Sequence, residues 1–203
     1  MLNASGLVYF VTEVELWSMR AVMLLLLGVI CIADLRARRI PNFMVFSGLL
    51  FAVVWHTLGT AGSGLFHADA PGALGPVPAL SGAGAAFAGF LLLYLTHTMG
   101  AGDVKLMAML GAFFGLEALP GLVLLVFLAG GVLVALRLFD RARRRAVFAN
   151  LQLIVFGRLA ALGGGVGPQF DPRTDSADRM PFAFAISGGA LLLGVLQLMG
   201  VSA

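Results

Sequence analysis

Met99-Gly100-Ala101-Gly102-Asp103-Val104-Lys105-Leu106 puts one aspartate at the mouth of an apolar run, directly behind two glycines. An ionised side chain at the centre of a bilayer-spanning helix costs about 2.5–3.5 kcal/mol on insertion scales, and less near an interface. A chain that keeps such a residue places it at a helix end, pairs it, or uses it. Apolar runs stand on both sides, over 79–98 and 103–117, so the glycine turn reads as the hinge between two helices. A second aspartate occurs in the same setting, in Ala33-Asp34-Leu35-Arg36-Ala37-Arg38-Arg39-Ile40-Pro41-Asn42, where an apolar run meets a charged turn.

The rest of the composition agrees with that pattern. Of the 203 residues, 60% are hydrophobic and 11% charged, and the mean hydropathy is +1.00. A soluble domain carries roughly 25% charge. This chain therefore reads as an all-α integral membrane protein, a polytopic bundle of about six transmembrane helices. It has the length of a single membrane-embedded domain over 1–203. Cys31 is the one cysteine, which excludes an internal disulfide framework and a CxxC zinc site. Three scattered histidines do not make a metal site either. Nothing resembles a nucleic-acid-binding patch.

The expected spans are 16–33, 42–59, 79–98, 103–117, 120–138 and 181–200. Eighteen apolar residues in a helix cover about 27 Å, close to a bilayer core. Residues 1–15 are weakly apolar and read as neither span nor cleavable signal. Pro41 suits the first turn of the second helix, where its missing N–H would be unpaired anyway. Residues 60–78, rich in Gly and Pro, read as a loop. Gly82, Gly84 and Gly89 favour close packing of the third helix. The 151–165 stretch is short and interrupted by Arg158, so it reads as interfacial or re-entrant. Residues 166–180 read as polar loop.

Charge sets the expected orientation. With the N-terminus outside, Arg36, Arg38, Arg39, Lys105, Arg137, the 141–145 arginines, Arg158, Arg173 and Arg179 fall on the cytoplasmic side. Arg20, inside the first span, does not. Glu13, Glu15, Asp69 and Glu117 fall outside. Asp34 and Asp103 then share the cytoplasmic face, as two cooperating groups must.

Two carboxylates a few ångströms apart cannot both ionise cheaply, so one stays protonated and their titration belongs to the pair. That state suits hydrolysis. The ionised group takes a proton from attacking water, and the protonated one polarises a carbonyl and later protonates the leaving amine. Gly100 and Gly102, lacking Cβ atoms, leave room for another backbone beside Asp103.

Gly100-Ala101-Gly102-Asp103-Val104-Lys105-Leu106 resembles the GxGDxKL signature of type IV prepilin peptidases. Asp34 through Asn42 resembles their other motif, an aspartate followed by basic residues and Ile-Pro-Asn. Met180-Pro181-Phe182-Ala183-Phe184-Ala185-Ile186 is similar to a third family segment at the last helix, where Pro-Tyr is more usual. The resemblance implies cleavage of the leader from pilin precursors at the cytoplasmic face of a bacterial inner membrane, just before the precursor's hydrophobic stretch. It implies Asp34 and Asp103 as catalytic pair and no metal or cofactor. The implied partners are the prepilin precursor and membrane lipid. Large family members carry a cytoplasmic insertion with paired CxxC motifs that N-methylates the new terminus. This chain has one cysteine, so the resemblance is to the short, peptidase-only form of tight-adherence (Flp-type) pili. Archaeal preflagellin peptidases are the nearest alternative. Signal peptide peptidases and presenilins share GxGD, but a tyrosine usually precedes their first aspartate, where Ala33 stands here. A transporter or scaffold using the aspartates as a proton relay is the non-enzymatic alternative.

Plainer roles stand beside these. Asp103 also suits a helix N-cap, and Asp34 a salt bridge to Arg36, Arg38 or Arg39. Lys105 reads as an interfacial anchor that snorkels to headgroups, with contact to the dyad or substrate as the alternative. Asn42 reads as a hydrogen-bonder at a helix start. With Pro41, Gly100 and Gly102, these two shape the site. His97 and Cys31 read as packed residues, and Asp171, Asp175 and Asp178 as solvated loop.

Overall fold

The computed structural model describes residues 4–37, 39–139, 145, 152, 156 and 182–201. Arg38, most of 140–165, the loop with its three aspartates, Met180 and Pro181 lie outside the described residues. So do the expectations made for them. Among the described residues the chain is all-helical: α1 Ala4–Ala37, α2 Asn42–Leu58, α3 Pro76–Leu95, α4 Ala101–Phe114, α5 Leu119–Leu138 and α6 Ala183–Leu198. Met1–Ala129 with Pro181–Ala203 form one compact unit, and Gly130–Met180 a second, of which the end of α5 is the main described part.

Local chemistry sets the helix ends. Pro41 is extended (φ −65°, ψ 125°) and caps α2 from outside, so Asn42 is the first helical residue rather than Pro41. Gly75, at φ 90°, breaks the chain before α3, whose first turn takes the prolines. Gly115 turns to φ 79° and stops α4 at Phe114, three residues before the expected end. Residues with a Cβ rarely adopt that conformation. The first helix is longer than its expected span, because 4–15 continue the same helix.

Among the described residues, three helices are long and apolar enough to cross a bilayer, within Thr12–Ala37, Pro76–Leu95 and Leu119–Leu138. The other three are shorter than the spans expected for them. α4 has 14 residues, about 21 Å of helix.

α4 forms the centre of the first unit and packs against α2, α3 and α6. Its Leu106, Met107, Met109, Leu110, Ala112 and Phe113 are fully buried. Such complete enclosure fits a helix that is apolar all round. α3 and α4 cross where Gly82 meets Gly111 backbone to backbone; a Cβ on either would run into the other chain. Gly84 and Gly89 face open space instead, with nothing within 4 Å of a Cβ added there.

One end of this unit is tied by side chains that reach the 59–75 loop. Arg20 donates from Nε to the Leu65 carbonyl at 3.1 Å and lies against the Trp17 and Phe66 rings. A buried guanidinium is more tolerable when it is hydrogen-bonded and lies against aromatic rings. Thr60 donates to Glu15 Oε2 at 2.9 Å. His56, 1% exposed, accepts the Leu74 N–H at Nδ1 (3.0 Å). Its proton therefore sits on Nε2, which donates to the Phe113 carbonyl at 3.1 Å. His56 is the histidine that packs, while His97 is exposed in the turn after α3, at φ 60°.

Candidate active site

The other end of the unit gathers the C-terminus of α1 with the N-termini of α2, α4 and α6. Asp103 is not the N-cap of α4. Gly100 is the N-cap, and Asp103 stands three positions on, in the first turn. Its carboxylate reaches back to the Gly100 N–H, the half of a capping box that an acidic third residue supplies. This explains Gly100 sterically, since a Cβ there would stand 3.1 Å from Asp103 Oδ2.

Asp34 lies in the last turn of α1, where the helix's own dipole disfavours a negative charge. A different helix compensates. Arg36 and Arg39 are exposed and Arg38 lies outside the described residues; the backbone N–H of Ala183 stands near the Asp34 carboxylate. Ala183 begins α6, so its N–H has no partner inside that helix. Each aspartate thus meets the positive end of a helix: Asp103 its own, Asp34 that of α6. The two carboxylates also interact electrostatically with one another. Both are partly buried.

The residues between the motifs serve as a joint. Gly102 packs on Ile40, whose Cβ would stand 3.1 Å from a Cβ on the glycine. The room that Gly102 leaves is thus occupied from within the chain. One turn further along, Lys105 Nζ donates to Asn42 Oδ1 at 2.9 Å and sits 5.9 Å from the Phe46 ring centre. Two residues beyond Asp103 on a helix, Lys105 projects to another side. It joins the start of α4 to the start of α2. Pro41 directs the chain into that contact by its extended backbone.

Lys105→Met and Asn42→Ala should therefore be non-additive in stability. A double-mutant cycle by thermal unfolding in detergent is expected to give a coupling of about 0.5–1 kcal/mol, low in the usual range because Asn42 is exposed. A coupling of zero would remove the tie.

Sequence reasoning singled out 180–186 by resemblance but gave the start of α6 no role beside Asp34. An alanine N–H has no side-chain signature, and Ala183 is far from Asp34 along the chain. Among the described residues no three of His, Cys, Asp and Glu come together as a metal would need. A cavity of about 520 Å³ lies at the opposite end, against the 63–69 loop and Glu117, away from both aspartates.

The comparisons with known proteins follow the same residues. The family model of the type IV leader peptidase family matches 21–135, a stretch that contains both aspartates and the joint. A prepilin leader peptidase/N-methyltransferase of Dickeya chrysanthemi is 38% identical over 92 residues, covering 40% of this chain and 31% of the relative. One of Pectobacterium carotovorum subsp. carotovorum is 30% identical over 174 residues, covering 81% of this chain and 54% of the relative. The chain thus spans about a third to about half the length of these curated relatives. No solved structure matches it.

Proposed function

This chain belongs to the type IV leader peptidase family, and on that premise we propose that it is an aspartic prepilin peptidase working through Asp34 and Asp103. The observation that supports the reading is that two motif-borne aspartates stand at the same end of the bundle, within electrostatic range of one another. Pairing lets the two share one proton. The ionised carboxylate takes a proton from water as the oxygen attacks the scissile carbonyl. The protonated one stabilises the developing oxyanion, and the amine leaves with a proton from the pair. Two carboxylates and one water complete the reaction, and no cofactor enters it. Gly100, Gly102, Pro41, Asn42 and Lys105 shape the site by holding α4 against the start of α2.

The substrate is a prepilin precursor, cut between its leader and its hydrophobic helix. The names of the curated relatives support this choice. The protein is multi-pass in the bacterial cytoplasmic membrane, with its N-terminus periplasmic and the aspartates facing the cytoplasm; the distribution of arginines supports that orientation. This 203-residue chain acts without N-methyltransferase activity; its single cysteine supports that.

The test is incubation of the purified protein in detergent with a full-length prepilin, read by mass spectrometry. One cut immediately before the hydrophobic stretch is expected, unchanged by a chelator, with no methyl group added in the presence of a methyl donor. An uncut precursor, together with aspartate-dependent proton uptake into liposomes, would replace this reading with the proton relay.

A further inference from the structure

Ser187 is a hydroxyl buried in an apolar helix, 5% exposed. Burying a hydroxyl is costly unless it is hydrogen-bonded. The group that meets it is Cys31 on α1, 9% exposed. The Cys31 thiol donates to Ser187 Oγ at 3.2 Å and lies 3.8 Å from the Ala183 carbonyl oxygen.

The spacing relates this pair to the candidate site. Cys31 precedes Asp34 by one helical turn and shares its face of α1. Ser187 follows Ala183 by one turn on α6. The two helices run antiparallel along this seam, so the Cys31–Ser187 contact and the Asp34–Ala183 contact lie side by side, the first deeper in the bundle. The neighbours of Asp34 show what the seam prevents. Ile32 and Leu35 are 51% and 57% exposed on the outer surface of the same turns. A rotation of α1 by one residue, about 100°, would carry the carboxylate from the interior to that surface. Ala33, whose side chain is one methyl, supplies no lock of its own.

We propose that Cys31 and Ser187 are positioning residues for Asp34: their hydrogen bond sets the rotation of the last turns of α1, and so the approach of the Asp34 carboxylate to Ala183 and Asp103. The thiol takes no part in chemistry, and neither residue touches substrate. The proposal rests on the dyad reading above, and deepens it by naming what holds one of the two groups in place.

The test uses the full chain in detergent, with Cys31→Ala, Cys31→Ser, Ser187→Ala and the double alanine variant. Two readouts are taken: kcat and KM for prepilin cleavage across pH, and the titration of ¹³C-labelled aspartate carboxyl signals, assigned by loss in Asp34→Asn and Asp103→Asn. The expected result is a fall in kcat of about tenfold for each alanine variant, the low end of the cost of losing a contact that orients a functional side chain, with KM within twofold. The limbs of the pH profile and the carboxyl titrations should move together, because the coupling within the pair changes with its geometry. Cys31→Ser keeps a donor and should restore both. The double variant should be no worse than the worse single.

Alanine variants with wild-type kcat and wild-type carboxyl titrations would overturn the proposal. So would a Cys31→Ser variant as impaired as Cys31→Ala, which would assign the effect to packing. If Ser187→Ala fails to fold, the comparison of Cys31→Ser with Cys31→Ala still decides. If wild type cuts no prepilin, the functional reading fails, and the carboxyl titrations alone still test the positioning.

Discussion

Asp103→Asn and Asp34→Asn should each lower kcat for leader cleavage by on the order of 10³-fold, the middle of the range for a positioned acid or base. Asparagine keeps the size and a hydrogen-bonding oxygen but can neither bind nor release a proton at neutral pH. That distinction matters most at Asp103. Its side chain also reaches back to the Gly100 N–H, and the amide oxygen of asparagine can accept the same bond. The start of α4 should survive while the chemistry goes. At Asp34 the amide can still accept from Ala183. The double variant should be no slower than either single, because residues that act as one unit are not additive. The measurement is single-turnover cleavage followed by mass spectrometry, with thermal unfolding as the control for folding. A folded variant that keeps a tenth of the wild-type rate would make that aspartate structural. A dyad also predicts a bell-shaped pH dependence of kcat, lost at low pH when both groups are protonated and at high pH when both are ionised.

The second large effect lies in the packing of the helix that carries Asp103. A Cβ on Gly82 would run into the Gly111 carbonyl oxygen and stand 2.7 Å from the Gly115 carbonyl carbon and 2.9 Å from the Leu116 nitrogen. All three obstacles are backbone, so no rotamer change relieves them. Gly82→Ala is expected to destabilise by about 3 kcal/mol, the upper part of the usual range for overpacking. Gly82→Leu should yield no folded protein. Gly111→Ala should behave similarly, since its Cβ would stand 2.8 Å from the Gly82 carbonyl carbon. The internal controls are Gly84→Ala and Gly89→Ala, with nothing in reach of the new methyl. They should stay within about 0.5 kcal/mol of wild type, or gain slightly from helix propensity. Thermal unfolding in detergent compares all four. Equal effects at Gly82 and Gly84 would mean that α3 does not pack as described.

These glycines also mark where sequence reasoning stops. Gly82, Gly84 and Gly89 look alike in the chain, and small residues do favour close packing. Which of them meets a neighbour depends on the face that α3 turns to α4, and three glycines in an apolar helix leave that face undetermined. The helices themselves were legible, because apolar runs of this length interrupted by charge, Gly and Pro have few alternatives. Five helix ranges lie close to expectation. α1 runs on through Glu13 and Glu15 because neither residue breaks a helix, although both lower its hydropathy. Asp34 and Asp103 were legible for the reason that makes them expensive, as charges at the ends of apolar runs. His56 and His97 were not separable by type: one is held by a loop amide and a carbonyl brought from elsewhere, the other occupies an exposed turn. The Cys31–Ser187 contact joins residues far apart in the chain, and only the packing of α1 on α6 brings them together.

The shortness of α4 has a consequence for the membranes in which the protein can work. A lipid-facing helix must match the local hydrocarbon thickness, by tilting or by deforming the bilayer around it. From Leu106 to Phe114, α4 is buried in protein. Hydrophobic mismatch therefore falls on longer helices such as α1 and α3, which have tilt to spare. The helix bearing Asp103 takes its depth from its protein neighbours, so thicker or thinner lipid should change the lean of the outer helices well before it changes the separation of the two carboxylates.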